Sequence, residues 1–242
     1  MGTVVTFDVF HLNDDHSGEL SEMFDAAICD LHDVDAMLST WILESPLNQF
    51  RRGEIARADI PREIEEVLEA CVYAREVSWG WFDPWALAGG FDPTGYVKGW
   101  AAQRARQFLR APWLMGAIVN AGGDISVAGS PAPGERFRVG IVNPFETKQL
   151  AFVVNVDAAV ATSGGYERSD QLINPATGVA HSAVASATVA GPELGLADAL
   201  ATALAVGGVQ VLSAIDELSG YEAFTIGHDA VVSATREFPF AK

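Results

Sequence analysis

Apolar and polar residues alternate over residues 3–10, the period of a half-buried strand. The period then becomes helical over residues 18–37, where apolar side chains recur at Leu20, Met23, Phe24, Ala27, Ile28, Leu31 and Val34 and continue to Leu38. Pro61 opens a second helix, with Asp59 as a candidate cap and a stripe of Ile64, Val67, Leu68 and Cys71. Residues 97–109 read as a third. Short strands are expected at 114–119, 137–142, 150–156 and 183–189, each bounded by Gly, Pro or Asn. A fourth helix over 193–206 and a fifth over 209–218 precede two closing strands around Phe224 and Val231. The order implies an α+β fold with helices packed on mixed or antiparallel sheets. No linker or low-complexity segment divides the chain, so residues 1–242 are expected to form one domain. The proline-rich stretch at 130–134 is either a boundary between two lobes or a surface loop.

Composition narrows the function classes. The chain has 242 residues, 49% of them hydrophobic, which suffices for a sizeable core. Its formal net charge of −17 repels nucleic-acid backbones and anionic lipid, so neither is an expected partner. An anionic ligand would need a metal, a lysine or backbone amides. Cys29 and Cys71 lie on the helical stripes without metal or redox spacing, and buried free thiols are expected. The first residues lack the basic and apolar regions of a signal peptide, and no apolar run reads as long enough to span a bilayer; a cytoplasmic location is expected.

Four glycine- and acid-bearing segments carry the candidate chemistry: residues 91–101, 120–125, 161–168 and 197–208. Asp198 and Thr202 are four apart on a predicted helix, so a carboxylate and a hydroxyl share one face within reach of a hard cation such as magnesium. Spacing alone favours the plainer reading, an ordinary alanine-rich buried helix with one capping Asp and a back-bonded Thr. Gly122 and Gly123 would let backbone approach a ligand closely, with Asp124 free to bond a ribose or ring nitrogen, or they form a plain turn. Thr162, Ser163 and Gly164 add hydroxyls and a further glycine at a strand end. Lys98 near a helix N-terminus opposes the helix dipole, which points to an anion such as phosphate beside it. Neither a Rossmann nor a Walker pattern occurs. The six tryptophans are expected mostly in the core, with one or two free to stack on a flat ring.

Taken in order, MGT at Met1, STW at Ser39 followed by ESPL, FDP at Phe82, D-x5-KGWA at Asp92, NAGGDI, ATSGGYER, NPATG at Asn174 and ADALATAL resemble the ApbE family of flavin transferases over nearly the whole chain. The resemblance implies a T-fold-like architecture with a flavin cleft. It implies magnesium-dependent transfer of FMN from FAD to a Ser or Thr hydroxyl of an acceptor flavoprotein with release of AMP, or hydrolysis of FAD to FMN and AMP. By the same resemblance the metal falls to Asp198, Thr202 and the carbonyl of Gly95. FAD falls to Met1, Trp41, Phe82, Asp83, Asp92, Lys98, the Gly122, Gly123 and Asp124 turn, Thr162, Ser163, Gly164 and Gln171. Several positions depart from the family pattern: Gln171 stands where a histidine is usual, Asn174 where an aspartate is, Arg51 where an asparagine is, and Trp85 where a threonine is. A glutamine cannot accept the proton of an incoming hydroxyl, which leaves that role to His181, to Asp124 or another carboxylate, or to water. A flavin-binding protein that lacks transfer is therefore the alternative reading.

Overall fold

The computed structural model describes residues 2–11, 16–86, 89–165 and 172–241. Its centre is a seven-stranded antiparallel sheet in the order β1-β2-β3-β6-β9-β10-β11. These strands are β1 (Val5–His11), β2 (Leu114–Ala121), β3 (Asp124–Gly129), β6 (Ala159–Ser163), β9 (Ser186–Gly191), β10 (Glu222–Ile226) and β11 (Val232–Ala234). Two hairpins stand outside it, β4 (Phe137–Val142) with β5 (Leu150–Val156), and β7 (Ile173–Asn174) with β8 (Val179–Ala180). The helices are α1 (Ser17–Leu38), α2 (Pro46–Arg51), α3 (Arg62–Val77), α4 (Thr94–Arg106), α5 (Leu194–Gly207) and α6 (Val211–Asp216).

The sheet separates two cores because strand side chains alternate between faces. Ala117, Val119 and Ala121 of β2, Ala161 of β6 and Val189 of β9 meet the helices. Their neighbours Val127, Val160, Phe224 and Ile226 turn the other way, onto Phe137, Ile141, Val154 and Val156 of the β4–β5 hairpin and Phe238 of the C-terminal segment. The stretch at 130–134 is the loop that carries the chain from β3 across to that hairpin.

Helix α5 lies deepest. Its alanines give the sheet a smooth surface, and all of its residues are buried except Thr202. The chain from Leu194 to Asp216 runs on through a 3-10 turn for 23 residues and contains an 18-residue window of mean hydropathy 1.6. The expectation that no apolar run is long enough to span a bilayer is corrected here: this segment has the length and composition, and 72% of that window is buried inside the fold as a core helix.

Most predicted elements occur where the pattern places them, with five additions and some shifts. Helix α2 is added, capped by the Ser45 side chain accepting the Asn48 N–H and started by Pro46. Strands β3 and β6 and the short β7 and β8 are also added. Helix α3 carries no side-chain cap, and Asp59 sits instead in a 3-10 turn. Cys71 is buried as a free thiol, with burial pushing its pKa up, whereas Cys29 is an exposed free thiol on the outer side of α1. The tryptophans also depart from expectation: Trp41, Trp79 and Trp85 are exposed, and Trp81, Trp100 and Trp113 are half-buried. Trp79 further occupies a left-handed conformation, φ 55°, immediately past α3. That position suits glycine, because a side chain there costs about 1–2 kcal/mol. Trp79 is 55% exposed, so nearly half of its surface is buried, and that burial offsets strain of about 1–2 kcal/mol. Trp79→Gly is therefore expected to relieve about 1–2 kcal/mol of strain and to lose a similar amount of side-chain burial, leaving Tm within roughly 4 °C of the parent chain in a thermal melt.

Candidate active site

The candidate residues converge where α4 crosses α5 above the start of β3. The two helices run antiparallel: Gly95 sits against Thr202, Gly99 against Asp198 and Leu194, and the Gln103 side chain accepts the Leu194 N–H at 2.5 Å. Contact is this close because α4 carries glycine at two positions four apart. A Cβ at Gly99 would lie 2.4 Å from the Leu194 carbonyl oxygen, and one at Gly95 would lie 3.4 Å from Thr202 Oγ1 and 3.1 Å from Phe82. The Gly99 N–H, left accessible, donates to Asp198 Oδ2 at 3.3 Å.

Lys98 projects from the same turn of α4 toward the sheet. Its Nζ is 2.6 Å from Asp124 Oδ2 and 4.0 Å from Asp198 Oδ1. Asp124 is fully buried and accepts the Thr162 N–H at its other oxygen, at 3.3 Å. Its Oδ2 makes no hydrogen bond of regular geometry, so the lysine meets it as an ion pair. Burial raises the pKa of Asp124 against the opposing ammonium of Lys98. Burial, followed by the charge of Asp124, raises Asp198 well above the ordinary carboxylate range, and Lys98 and the Gly99 N–H offset this only in part. One ammonium thus serves two acids. Ser163 Oγ approaches Thr202 Oγ1 at 3.5 Å and places a second hydroxyl at the open end of α5.

The donor set suits a hard divalent cation. Asp198 and Thr202 bring a carboxylate and a hydroxyl to one seam, and Gly95, lacking a Cβ, brings its backbone close to Thr202. Burial disfavours the ionised form of both acids, and the charge of Asp124 adds to this at Asp198; a cation bound here would favour their ionisation. Among the described residues no group of three or more His, Cys, Asp or Glu side chains is gathered. A site here is completed by a hydroxyl, a carbonyl and the ligand.

Other expectations need correction. Asp124 is not free to bond a ribose, since it is buried and paired. The anion that the helical position of Lys98 calls for is present within the chain, in Asp124 and Asp198. Gly122 and Gly123 form a two-residue hairpin turn with positive φ at both, and the close approach at Gly122 is to Thr3, not to a cleft. Thr162 turns its side chain to the opposite face of the sheet, where its hydroxyl meets Thr188 at 2.9 Å, and only its N–H reaches Asp124.

Phe82 is buried against Gly95; Asp83 pairs with Arg75 at 2.9 Å and accepts the Trp85 N–H; Asp92 accepts the Thr94 N–H at the start of α4. Trp41 is exposed on the loop before α2, and Gly164 is buried. His181 is exposed, two residues before Ala183, whose N–H donates to the Ala205 carbonyl of α5. His228, not singled out in the sequence, reaches the Ser182 carbonyl beside it at 3.1 Å. Met1 and Gln171 lie outside the described residues. A cavity of about 660 Å³ opens on the Tyr96 and Trp100 face of α4, away from Lys98 around the helix, and its acids Glu66 and Glu193 are exposed. The buried acid pair, not this cavity, marks the site.

A sequence model of the ApbE family matches residues 88–225, more than half of the chain. The chain belongs to the ApbE family. It is 37% identical over 164 residues to an FAD:protein FMN transferase of Treponema pallidum (strain Nichols) and 34% identical over 157 residues to one of Rhodobacter capsulatus. Each alignment covers 60% of this chain but only 45% and 30% of the respective relative. The solved Flavin Transferase ApbE from Vibrio cholerae superposes with a TM-score of 0.80 at 17% identity, covering 97% of this chain and 93% of that one. The apo form of the Pseudomonas stutzeri flavinyl transferase ApbE superposes with a TM-score of 0.79 at 18% identity, covering 97% and 94%. At such identities these likenesses establish the ApbE fold.

The seam between α4 and α5 yields a direct test. Gly99→Ala drives a Cβ into the Leu194 backbone, which cannot rotate away, so the helices must separate. A loss of about 1–3 kcal/mol in urea unfolding is expected. Unchanged stability would refute the packing described for this seam.

Proposed function

We propose that this chain transfers FMN from FAD to a Ser or Thr hydroxyl of an acceptor flavoprotein and releases AMP, with FAD as substrate and magnesium as the metal. The observation that carries the reading is the cluster of Asp198, Thr202 and Gly95 with Lys98 beside it, in a chain of the ApbE family whose curated relatives are FAD:protein FMN transferases. Asp198, Thr202 and the Gly95 carbonyl would hold the ion, which when bound polarises a diphosphate and neutralises charge growing on the phosphoryl group.

The remaining work falls to the chain. Lys98 offers an ammonium to the diphosphate on the same side as the acids. The acceptor oxygen attacks the phosphorus on the FMN side, a new P–O bond forms, and the bond to the bridging oxygen breaks so that this oxygen leaves with AMP. The acceptor's proton must pass to a base. His181 is the candidate, as an exposed imidazole on the segment that leads back to α5. Phe82, Asp83, Asp92 and Trp41 supply the walls against which FAD would be oriented, and Ser163 supplies a further hydroxyl near Thr202.

A second reading, FAD binding or FAD hydrolysis without transfer, is favoured by Gln171 and Asn174 in place of the family's histidine and aspartate. Incubation of the purified chain with FAD and magnesium, with AMP and FMN followed by chromatography, separates the readings. AMP release is expected, with loss of about 10²-fold or more in Asp198→Ala while the fold is retained by circular dichroism. FAD binding without AMP would support the second reading, and undiminished AMP release in Asp198→Ala would remove the metal assignment. Gln171→His is expected to raise the rate of FMN transfer to an acceptor, and His181→Ala to lower the rate of the parent chain.

A further inference from the structure

We propose that Lys98 is a stand-in cation, whose ammonium compensates Asp124 and Asp198 in the metal-free protein and yields to a divalent ion only as an anionic diphosphate draws it away. Metal and nucleotide would then bind interdependently. The inference rests on the reading of Asp198 as a metal ligand and adds to it a role for its neighbours.

Three observations support it. First, the ammonium is held between the two acids but nearer the one outside the proposed metal set, at 2.6 Å from Asp124 and 4.0 Å from Asp198. Second, the acids are 0% and 2% exposed, so water does little to screen charges placed among them. A divalent ion arriving at Asp198 would face an ammonium a few ångströms away and be repelled by it. Third, the Lys98 side chain is 29% exposed and ends a flexible four-carbon stem, which allows its head to leave the acids for a phosphate at the mouth of the seam. Once it moves, Asp124 and Asp198 regain their full attraction for the metal. By reciprocity the bound metal then favours the diphosphate to the same degree.

A merely structural lysine predicts the opposite sign, because removing it would disorder the acids and weaken metal binding. The test is calorimetric titration of magnesium into the nucleotide-free chain and into the chain saturated with ADP, which carries the diphosphate without the flavin. Without nucleotide, Lys98→Met is expected to bind magnesium about tenfold more tightly than the parent chain. Asp124→Asn, which frees the ammonium to move onto Asp198, is expected to bind it about tenfold more weakly. ADP should strengthen magnesium binding in the parent chain and do so much less in Lys98→Met. Equal or weaker magnesium binding by Lys98→Met overturns the proposal. If that variant fails to fold by circular dichroism, Lys98→Gln replaces it, and unweakened binding by Asp124→Asn overturns the proposal independently. Magnesium binding lost in Asp198→Ala but unchanged in Lys98→Met rejects the stand-in alone. Undiminished binding in Asp198→Ala rejects the metal reading and the stand-in with it.

Discussion

The removal of two carboxylates from water at one seam is the constraint around which this structure is arranged. An isolated buried carboxylate is costly enough that it normally takes up a proton, and here Asp124 and Asp198 are buried with one lysine between them. That arrangement requires backbone at very short range. Gly95 and Gly99 allow α4 to lie directly on α5, which brings the Gly99 N–H to Asp198 and sets Lys98 over Asp124. The alanines of α5 complete the arrangement from below, because a helix of small side chains is the one that can sit flush on a sheet and carry a buried acid.

The fold follows from meeting that constraint on one face of the sheet while closing the other. Asp124 and Ser126 point from β3 toward the helices, where they meet Lys98 and Arg106, and the intervening Ile125 points away. Charge and hydroxyl therefore lie on the helical side of β3, whereas the hairpin side is packed with phenylalanine from residues 137, 152, 224, 238 and 240. The site belongs to the helical layer. Arg104 ties α1 into that layer through the buried Asp30 at 2.8 Å, so the helix bearing Lys98 is fixed at both ends.

Much of this was legible in the residues, and the remainder was hidden for identifiable reasons. Long periodic stripes, as in α1 and α3, carry enough repeats to define a helix, and the Asp198 and Thr202 spacing is a local property of α5 that survives folding unchanged. Strand β3 escaped because Asp124 and Ser126 occupy inward positions, so its inward residues look polar until their partners on α4 are known. Helix α2 has only six residues, too few for a stripe, although Ser45 followed by Pro46 is a start signal that could have found it. The partner of Lys98 was misjudged for a related reason. Its position on the helix correctly indicates an anion, but Asp124 is 26 residues away in sequence and reaches it only through the pairing of β2 with β3. The glycines at 95 and 99 carried more information than was drawn from them, since two glycines four apart in a helix mark a contact with another backbone.

The same constraint accounts for where the site opens. Of the residues of α5 only Thr202 escapes burial, and it does so one turn beyond Asp198, next to Ser163 and opposite Gly95. Toward Leu194 the two helices are sealed by Gly99 against carbonyl and by Gln103 against the first amide of α5. At the Thr202 end this contact is half-buried, whereas toward Leu194 it is closed by the helix crossing. Charge that would be prohibitive in a closed core is thereby left at the end of a seam, where it can be met by a cation from outside the chain. On the proposed reading the acidity of the whole molecule would work in one direction, its net charge of −17 attracting a metal ion and repelling a diphosphate. The anion must depend on local positive charge, and at this seam that charge is Lys98 and whatever ion the acids admit.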